Sequence, residues 1–327
     1  MSAVTSPLRA PARRTGLWVA AILACAALFI VIYEYFVRSS SGQLVDTVAR
    51  LNAEYYDHPL PYLDPANPWI AFYIVAPPAL VFLGITLTRQ KFVSALIAVG
   101  TVIGANLSTQ VFKSTLYERP ELGDFPTAWT QDYLDNSLPS GHTTIAASVA
   151  VAVFLVGSPR QRPFLGVLAA LWGGGWGTYI FIDNWHRPSD MVAAYLVVAI
   201  WALIGGWLIM RLEPRKNSVY YDALPPVAPA AAFCWFFGIV FTLAAGLCLL
   251  FAGGWSGIAR AAEDPSLWMW LAGALLSLGP AFLVAGAGIN FFGAEAGRLQ
   301  RGMDLPSPQA ERISYPVPPQ FNDLYRV

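Results

Sequence analysis

Charge is scarce in this chain. Of its 327 residues only 12% are Asp, Glu, Lys or Arg, against about 25% in a typical soluble domain. The 20 basic and 20 acidic residues cancel to a formal net charge of zero. Without a basic excess there is no electrostatic footprint for nucleic acid, and no nucleic-acid partner is expected. Cysteine is scarce too. Cys25, Cys234 and Cys248 all lie in apolar runs, and their spacing fits neither a metal site nor an extracellular disulfide pair. Histidine occurs three times, as His58, His142 and His186, so any chemistry that needs imidazole has few places to sit.

Apolar sequence is what abounds, at 56% of residues. Hydrophobic runs long enough to cross a bilayer recur along the chain, and several Trp and Tyr sit at their ends, where an interfacial belt would put them. The expected fold class is all-α, a polytopic membrane helix bundle. Eight spans are expected, over 17–37, 69–87, 92–112, 143–156, 164–182, 190–210, 228–251 and 267–292. The first is too long for a signal-peptide core. Pro77 and Pro78 should kink the second. Gly173–Gly174–Gly175 and Gly177 in the fifth either permit close packing or mark a break. Between the first two spans, a short amphipathic helix is expected over 44–51.

Loop charge orients these spans. Arg9/Arg13/Arg14, Arg89/Lys91, Arg160/Arg162, Arg211/Arg215/Lys216 and Arg298/Arg301 fall on one side if there are eight. The positive-inside rule makes that side cytoplasmic. The expected organisation is a cytoplasmic N-terminus (1–15), a six-helix core (16–210), a cytoplasmic linker (211–227), a transmembrane hairpin (228–292) and a cytoplasmic tail (293–327). A bacterial plasma membrane is the expected location.

Four polar items then land on the outer face. Lys113 ends the third span, with Arg119–Pro120 following. Asn136–Ser137–Leu138–Pro139–Ser140–Gly141–His142 leads into the fourth. His186–Arg187–Pro188–Ser189–Asp190 joins the fifth to the sixth. His58 and the loop carboxylates Asp124, Asp132 and Asp135 read as solvated. Charges at helix ends in a membrane are costly unless used or paired. These groups suit phosphoryl transfer. Lys113, Arg119 and Arg187 would neutralise phosphoryl oxygens, and Ser140 and the Gly141 N–H would donate from a helix N-terminus. One histidine would attack phosphorus and the other would protonate the leaving oxygen. Asp190 follows His186 by four residues, one helical turn, although Pro188 sits inside that turn as an obstacle. The basic groups leave no need for a metal, and no cofactor is expected.

Lys113 followed by Arg119–Pro120, the complete Pro139–Ser140–Gly141–His142, and His186 with Asp190 together resemble the type 2 phosphatidic acid phosphatase (PAP2) superfamily of integral-membrane lipid phosphate phosphatases. The resemblance covers about residues 70–210 and implies a six-helix core, with two further C-terminal helices outside it. It also implies that His186 is the nucleophile, His142 the general acid, and Asp190 the group that orients His186. Lys113, Arg119, Ser140 and Gly141 would bind phosphate. Two departures stand out. Five residues rather than six separate Lys113 from Arg119, and Tyr179–Ile180 stand where the pattern has Ser-Arg. Arg187 is the candidate to compensate. The substrate implied is a membrane lipid phosphate or polyprenyl pyrophosphate entering laterally, with a homo-oligomer possible. A lipid-linked phosphotransferase and a non-catalytic transporter of the same fold are the alternatives.

Overall fold

The computed structural model describes residues 12, 14–56, 60, 62–67, 69–116, 119–120, 137–220 and 227–299. Each expected apolar run is a helix. They are α1 (Thr15–Phe36), α3 (Trp69–Arg89), α4 (Phe92–Val111), α5 (Gly141–Val156), α6 (Arg162–Ile182), α7 (Pro188–Leu212), α8 (Val227–Phe251) and α10 (Leu267–Glu295). Seven of these described helices are long and apolar enough to cross a membrane. The exception is α5, whose 16 residues extend only about 24 Å at 1.5 Å per residue. Leu23, Leu80, Leu96 and Leu243, on α1, α3, α4 and α8, are each more than 60% exposed. An aqueous surface would not tolerate that many bare leucines, whereas lipid would. The chain is an apolar helix bundle with the character of an integral-membrane protein.

The structure differs from the sequence reading in several places. The amphipathic helix before α3 is longer than expected and forms α2 (Ser40–Tyr55). The segment between the last two spans, expected as a loop, contains a short α9 (Gly254–Arg260). Beyond α10, Gly297–Leu299 (β2) pairs in parallel with Ser218–Tyr220 (β1), so the all-α fold carries a two-stranded ribbon. Helix α10 is no outlying addition, because it packs along α6, α7 and α8 and reaches α2.

Small residues set the helix spacing, as expected where no water drives association. Helix α6 runs unbroken through its glycines, of which Gly173, Gly174 and Gly177 serve close packing. A Cβ on Gly173 would stand 3.2 Å from the Ala147 Cβ, and one on Gly177 would stand 2.1 Å from the Tyr195 hydroxyl. Helix α3 likewise continues through Pro77 and Pro78.

The described basic turns converge on one end of the bundle. Lys91 Nζ donates to the Gly157 carbonyl at 3.2 Å, Arg162 Nη2 to Asn217 Oδ1 at 2.6 Å, and Lys216 Nζ to the Gln90 carbonyl at 2.7 Å. Arg14 pairs with Glu295, which also accepts from Trp18 Nε1. Short as it is, α5 connects this end, at Gly157, to the opposite end, at Ser140.

Helix α2 lies across that opposite end. Asn52, fully buried, fastens it by donating to the Ala261 carbonyl at 3.0 Å and accepting from the Ser266 N–H. Removing this side chain strands the buried Ala261 carbonyl and the part-buried Ser266 N–H, at a cost of about 1–3 kcal/mol. Asn52→Ala should therefore lower the unfolding temperature of the detergent-purified protein by several degrees. An unchanged unfolding temperature would show that α2 is not held by this residue.

Candidate active site

The N-terminus of α7 organises the site. Arg187 occupies the cap position and Pro188 the first helical turn. Proline suits that position, because its missing N–H would have no helical partner anyway. The expected obstacle is therefore an advantage. Asp190 is three residues inside the cap, and its Oδ2 accepts from the Arg187 N–H at 2.9 Å and pairs with His186 Nδ1 at 3.1 Å. Since a carboxylate only accepts, Nδ1 carries the proton and Nε2 keeps its lone pair. His186 is half-buried, and Asp190 is buried.

Helix α5 begins beside it. Ser140 caps α5, with Oγ accepting from the Thr143 N–H at 3.3 Å and the Thr143 hydroxyl at 3.0 Å. Its own N–H donates to the Asp190 carbonyl at 3.0 Å. Asp190 thus holds His186 with its side chain and the Ser140–Gly141–His142 segment with its backbone. The fully buried Arg187 side chain donates to Ser137 Oγ, just before α5.

The C-terminus of α6 delivers His186. The Trp185 N–H bonds the Ile180 carbonyl at 2.9 Å and the Asn184 N–H bonds the Phe181 carbonyl at 3.0 Å. This is a Schellman ending with Asn184 in the left-handed region, at φ +59°. Asn184 therefore shapes the turn. Trp185 faces His142, their ring centroids 5.2 Å apart and edge-on. Ile180 has no exposure and belongs to the apolar core with Met191, so that position sends no polar group toward the histidines.

A cavity of about 520 Å³ opens between these elements. His142 and His186 both line it, with Trp185, Asn184, Asp183 and Tyr62. Of the other predicted residues, Lys113, Arg119, Ser140, Gly141, Arg187 and Asp190 stand around it rather than among its described lining. Lys113 lies in a π-helical turn, Phe112–Leu116, that ends α4, and its charge interacts with both imidazoles and with Asp190. Arg119 donates to Thr47 Oγ1 at 3.3 Å, and its buried Nε has no hydrogen-bond partner among the described residues. His58, Asp124, Asp132, Asp135 and Asn136 lie outside the described residues.

The sequence reading missed the contribution of α2. Asp46 accepts from the Ser189 N–H at 3.1 Å and from its hydroxyl at 2.6 Å, a second carboxylate at the α7 N-terminus. Burial foremost, and then the Asp190 charge, push its carboxyl up to about 6. Thr47 meets Arg119, and Arg50 lines the cavity itself. The i, i+4 spacing of Asp46 and Arg50 on an amphipathic helix was the available signal.

Residues 94–218 match the model of the PAP2 superfamily. The chain carries a PAP2 superfamily domain. Neither a curated protein nor a solved structure matches the chain. The PAP2 segment runs from α4 through α7, so it contains all eight residues singled out in the sequence, while α2 and α8–α10 lie outside it. Together with the apolar bundle, it associates the chain with membrane phosphatases at the level of the superfamily. Among the described residues no group of three or more His, Cys, Asp or Glu is placed to hold a metal ion.

Burial is the largest influence on His186 and drives its imidazole below the ordinary value. The Asp190 hydrogen bond and charge pull it back up, and Lys113 and Arg50 push it down again. In histidine-labelled NMR, His186 should therefore titrate below about 6.5, the ordinary value. Asp190→Asn removes the charge that holds the proton, so it should move that midpoint lower still. A midpoint that rises in Asp190→Asn would contradict this balance.

Proposed function

We propose that this chain is a membrane lipid phosphate or polyprenyl pyrophosphate phosphatase that works through a phosphohistidine on His186. The observation that carries this reading is the pair of imidazoles on one cavity, with Nδ1 of His186 committed to a buried carboxylate. The PAP2 match over the same residues supports it.

In this reading His186 Nε2 attacks phosphorus while the bond from phosphorus to the lipid oxygen breaks. His142 gives its proton to that leaving oxygen. Asp190 fixes the attacking tautomer and offsets the positive charge that grows on the ring. Neutral His142 then takes a proton from water, the water oxygen attacks phosphorus, and the P–N bond breaks to release inorganic phosphate. Lys113, Arg119 and Arg187 stabilise the phosphoryl oxygens by charge, and Ser140 and the Gly141 N–H do so by hydrogen bonds at the α5 N-terminus. The Nε of Arg119, without a hydrogen-bond partner among the described residues, suits such an oxygen. These cations take the role a metal would have, so hydrolysis is metal-independent and survives a chelator. The basic end is cytoplasmic, the cavity is extracytoplasmic, and substrate enters laterally from the bilayer. Residues 16–210 form the phosphatase core, which 228–292 extends.

Purified protein is expected to release free phosphate from at least one of phosphatidic acid, phosphatidylglycerol phosphate and polyprenyl pyrophosphate. Free phosphate stoichiometric with lipid consumed separates hydrolysis from transfer to an acceptor. His186→Ala should lower release about 10³-fold or more; release at the unaltered rate would sink the reading.

Gly141→Ala supplies a finer check. A Cβ there would meet only Gln110 Nε2, at an ordinary 3.6 Å, so the unfolding temperature should hold. The methyl group would crowd a phosphate at the α5 N-terminus, and kcat/KM should fall at least about tenfold. Undiminished kcat/KM would remove Gly141 from the phosphate site.

A further inference from the structure

A second cavity, of about 360 Å³, lies within the apolar bundle. Cys25 and Leu28 of α1, Ala199 of α7, and Val284 and Gly288 of α10 are among its walls. It follows α10 from Ala281 to Phe292, so it is about 17 Å long at 1.5 Å per residue. Phe291 and Phe292 wall off one end. Both rings stand edge-on to Trp18 there, at 4.8 Å and 5.3 Å, and Trp18 Nε1 donates to Glu295. Away from that end, Leu28 and Ala287 are exposed, and the cavity opens between α1 and α10. Its described lining shares no residue with that of the histidine cavity.

We propose that this cavity holds one acyl chain of a bilayer phospholipid, at a site separate from the histidine cavity. Among its described lining, the polar side-chain atoms are the Cys25 thiol, a weak donor, and the Tyr195 hydroxyl, which donates to the Ser277 carbonyl at 2.9 Å. Water would find little to bond. An apolar cavity of only about 150 Å³ already stays dry and takes up benzene. Left empty, this larger one would forfeit dispersion contacts on every wall. Its shape selects the occupant. Volume and length give a mean section of about 20 Å², room for one hydrocarbon chain and too narrow for a helix about 10 Å across. The length is close to half of a hydrocarbon core about 30 Å thick, the depth that the chains of one leaflet fill. Gly288 shows the space directly, since a Cβ there would meet nothing within 4 Å. This inference does not depend on the hydrolase reading.

The test is photolabelling of the full chain in phosphatidylcholine vesicles, with a fraction of the lipid carrying a diazirine midway along one acyl chain. Adducts should concentrate on 21–28 of α1 and 281–292 of α10, above the level on the lipid-facing α3. Gly288→Leu should bring them down to that level. Its side chain enters open space, and leucine suits a helix interior better than glycine. Ala199→Leu, from the α7 wall, should do the same, and neither variant should unfold at a lower temperature than the unaltered chain in lipid-free detergent. Gly246→Leu, at an exposed α8 glycine with equally open surroundings, should leave the labelling as it was. Adducts no denser on these stretches than on α3, or undiminished in both filled variants, would overturn the inference. So would an equal loss in Gly246→Leu, or a lowered unfolding temperature in both filled variants, since the space would then not be vacant. A raised KM for a hydrolysed lipid in Gly288→Leu would overturn the choice of a bilayer phospholipid in favour of the substrate's own chain, and would leave the hydrolase reading standing.

Discussion

The buried carboxylate of Asp190 is the tie on which the polar end of this molecule depends. It sits in the first turn of α7, where the helix dipole and the free N–H groups favour negative charge. From there its side chain binds the His186 ring and the Arg187 backbone, and its own carbonyl receives the Ser140 N–H. Two chain segments distant in sequence, the α6–α7 turn and the start of α5, are thereby brought to one place. Pro188 removes an N–H that would otherwise need a partner and sets the backbone for the helix start. Mutual position of the two histidines is in this sense a property of helix capping.

Helix α2 completes the arrangement from the other side. Without it the α7 N-terminus would lose the Asp46 contact to Ser189, and Arg119 would lose Thr47. A helix lying across the mouth of the bundle also accounts for a cavity whose lining is drawn from α2, the α3 approach, the start of α5 and the α6–α7 turn. The apolar bundle beneath is held by close contacts of small residues, such as Gly173 against Ala147, and leaves its large aliphatic side chains to face lipid.

Much of this was legible in the sequence because membrane helices announce themselves by length and composition. All eight apolar runs became helices, and the described basic turns among those that fixed the expected sidedness gather at one end. The local motifs were legible too, since capping residues and a proline act within one turn of where they stand. What could not be read was anything that depends on packing between segments far apart. Asp46, Thr47 and Arg50 fall within the short amphipathic helix expected over 44–51, and nothing local says that its polar face closes on α7. The shortness of α5 was visible in the expected run over 143–156, but that it still joins both ends of the bundle follows only from its neighbours. Arg187 appeared as an open cation beside a histidine, whereas its side chain turns inward to Ser137.

The central claim is that a neutral His186, oriented by Asp190, takes the phosphoryl group onto its own ring. The most direct measurement is rapid acid-free quenching of the full chain with a lipid substrate labelled with ³²P in the transferred phosphoryl group. Label should remain on the protein, stable to alkali and lost in acid as expected for a P–N bond, and map to the peptide containing His186. Substrate turned over with no protein-bound label in the unaltered chain, or label that persists in His186→Ala, would contradict the account.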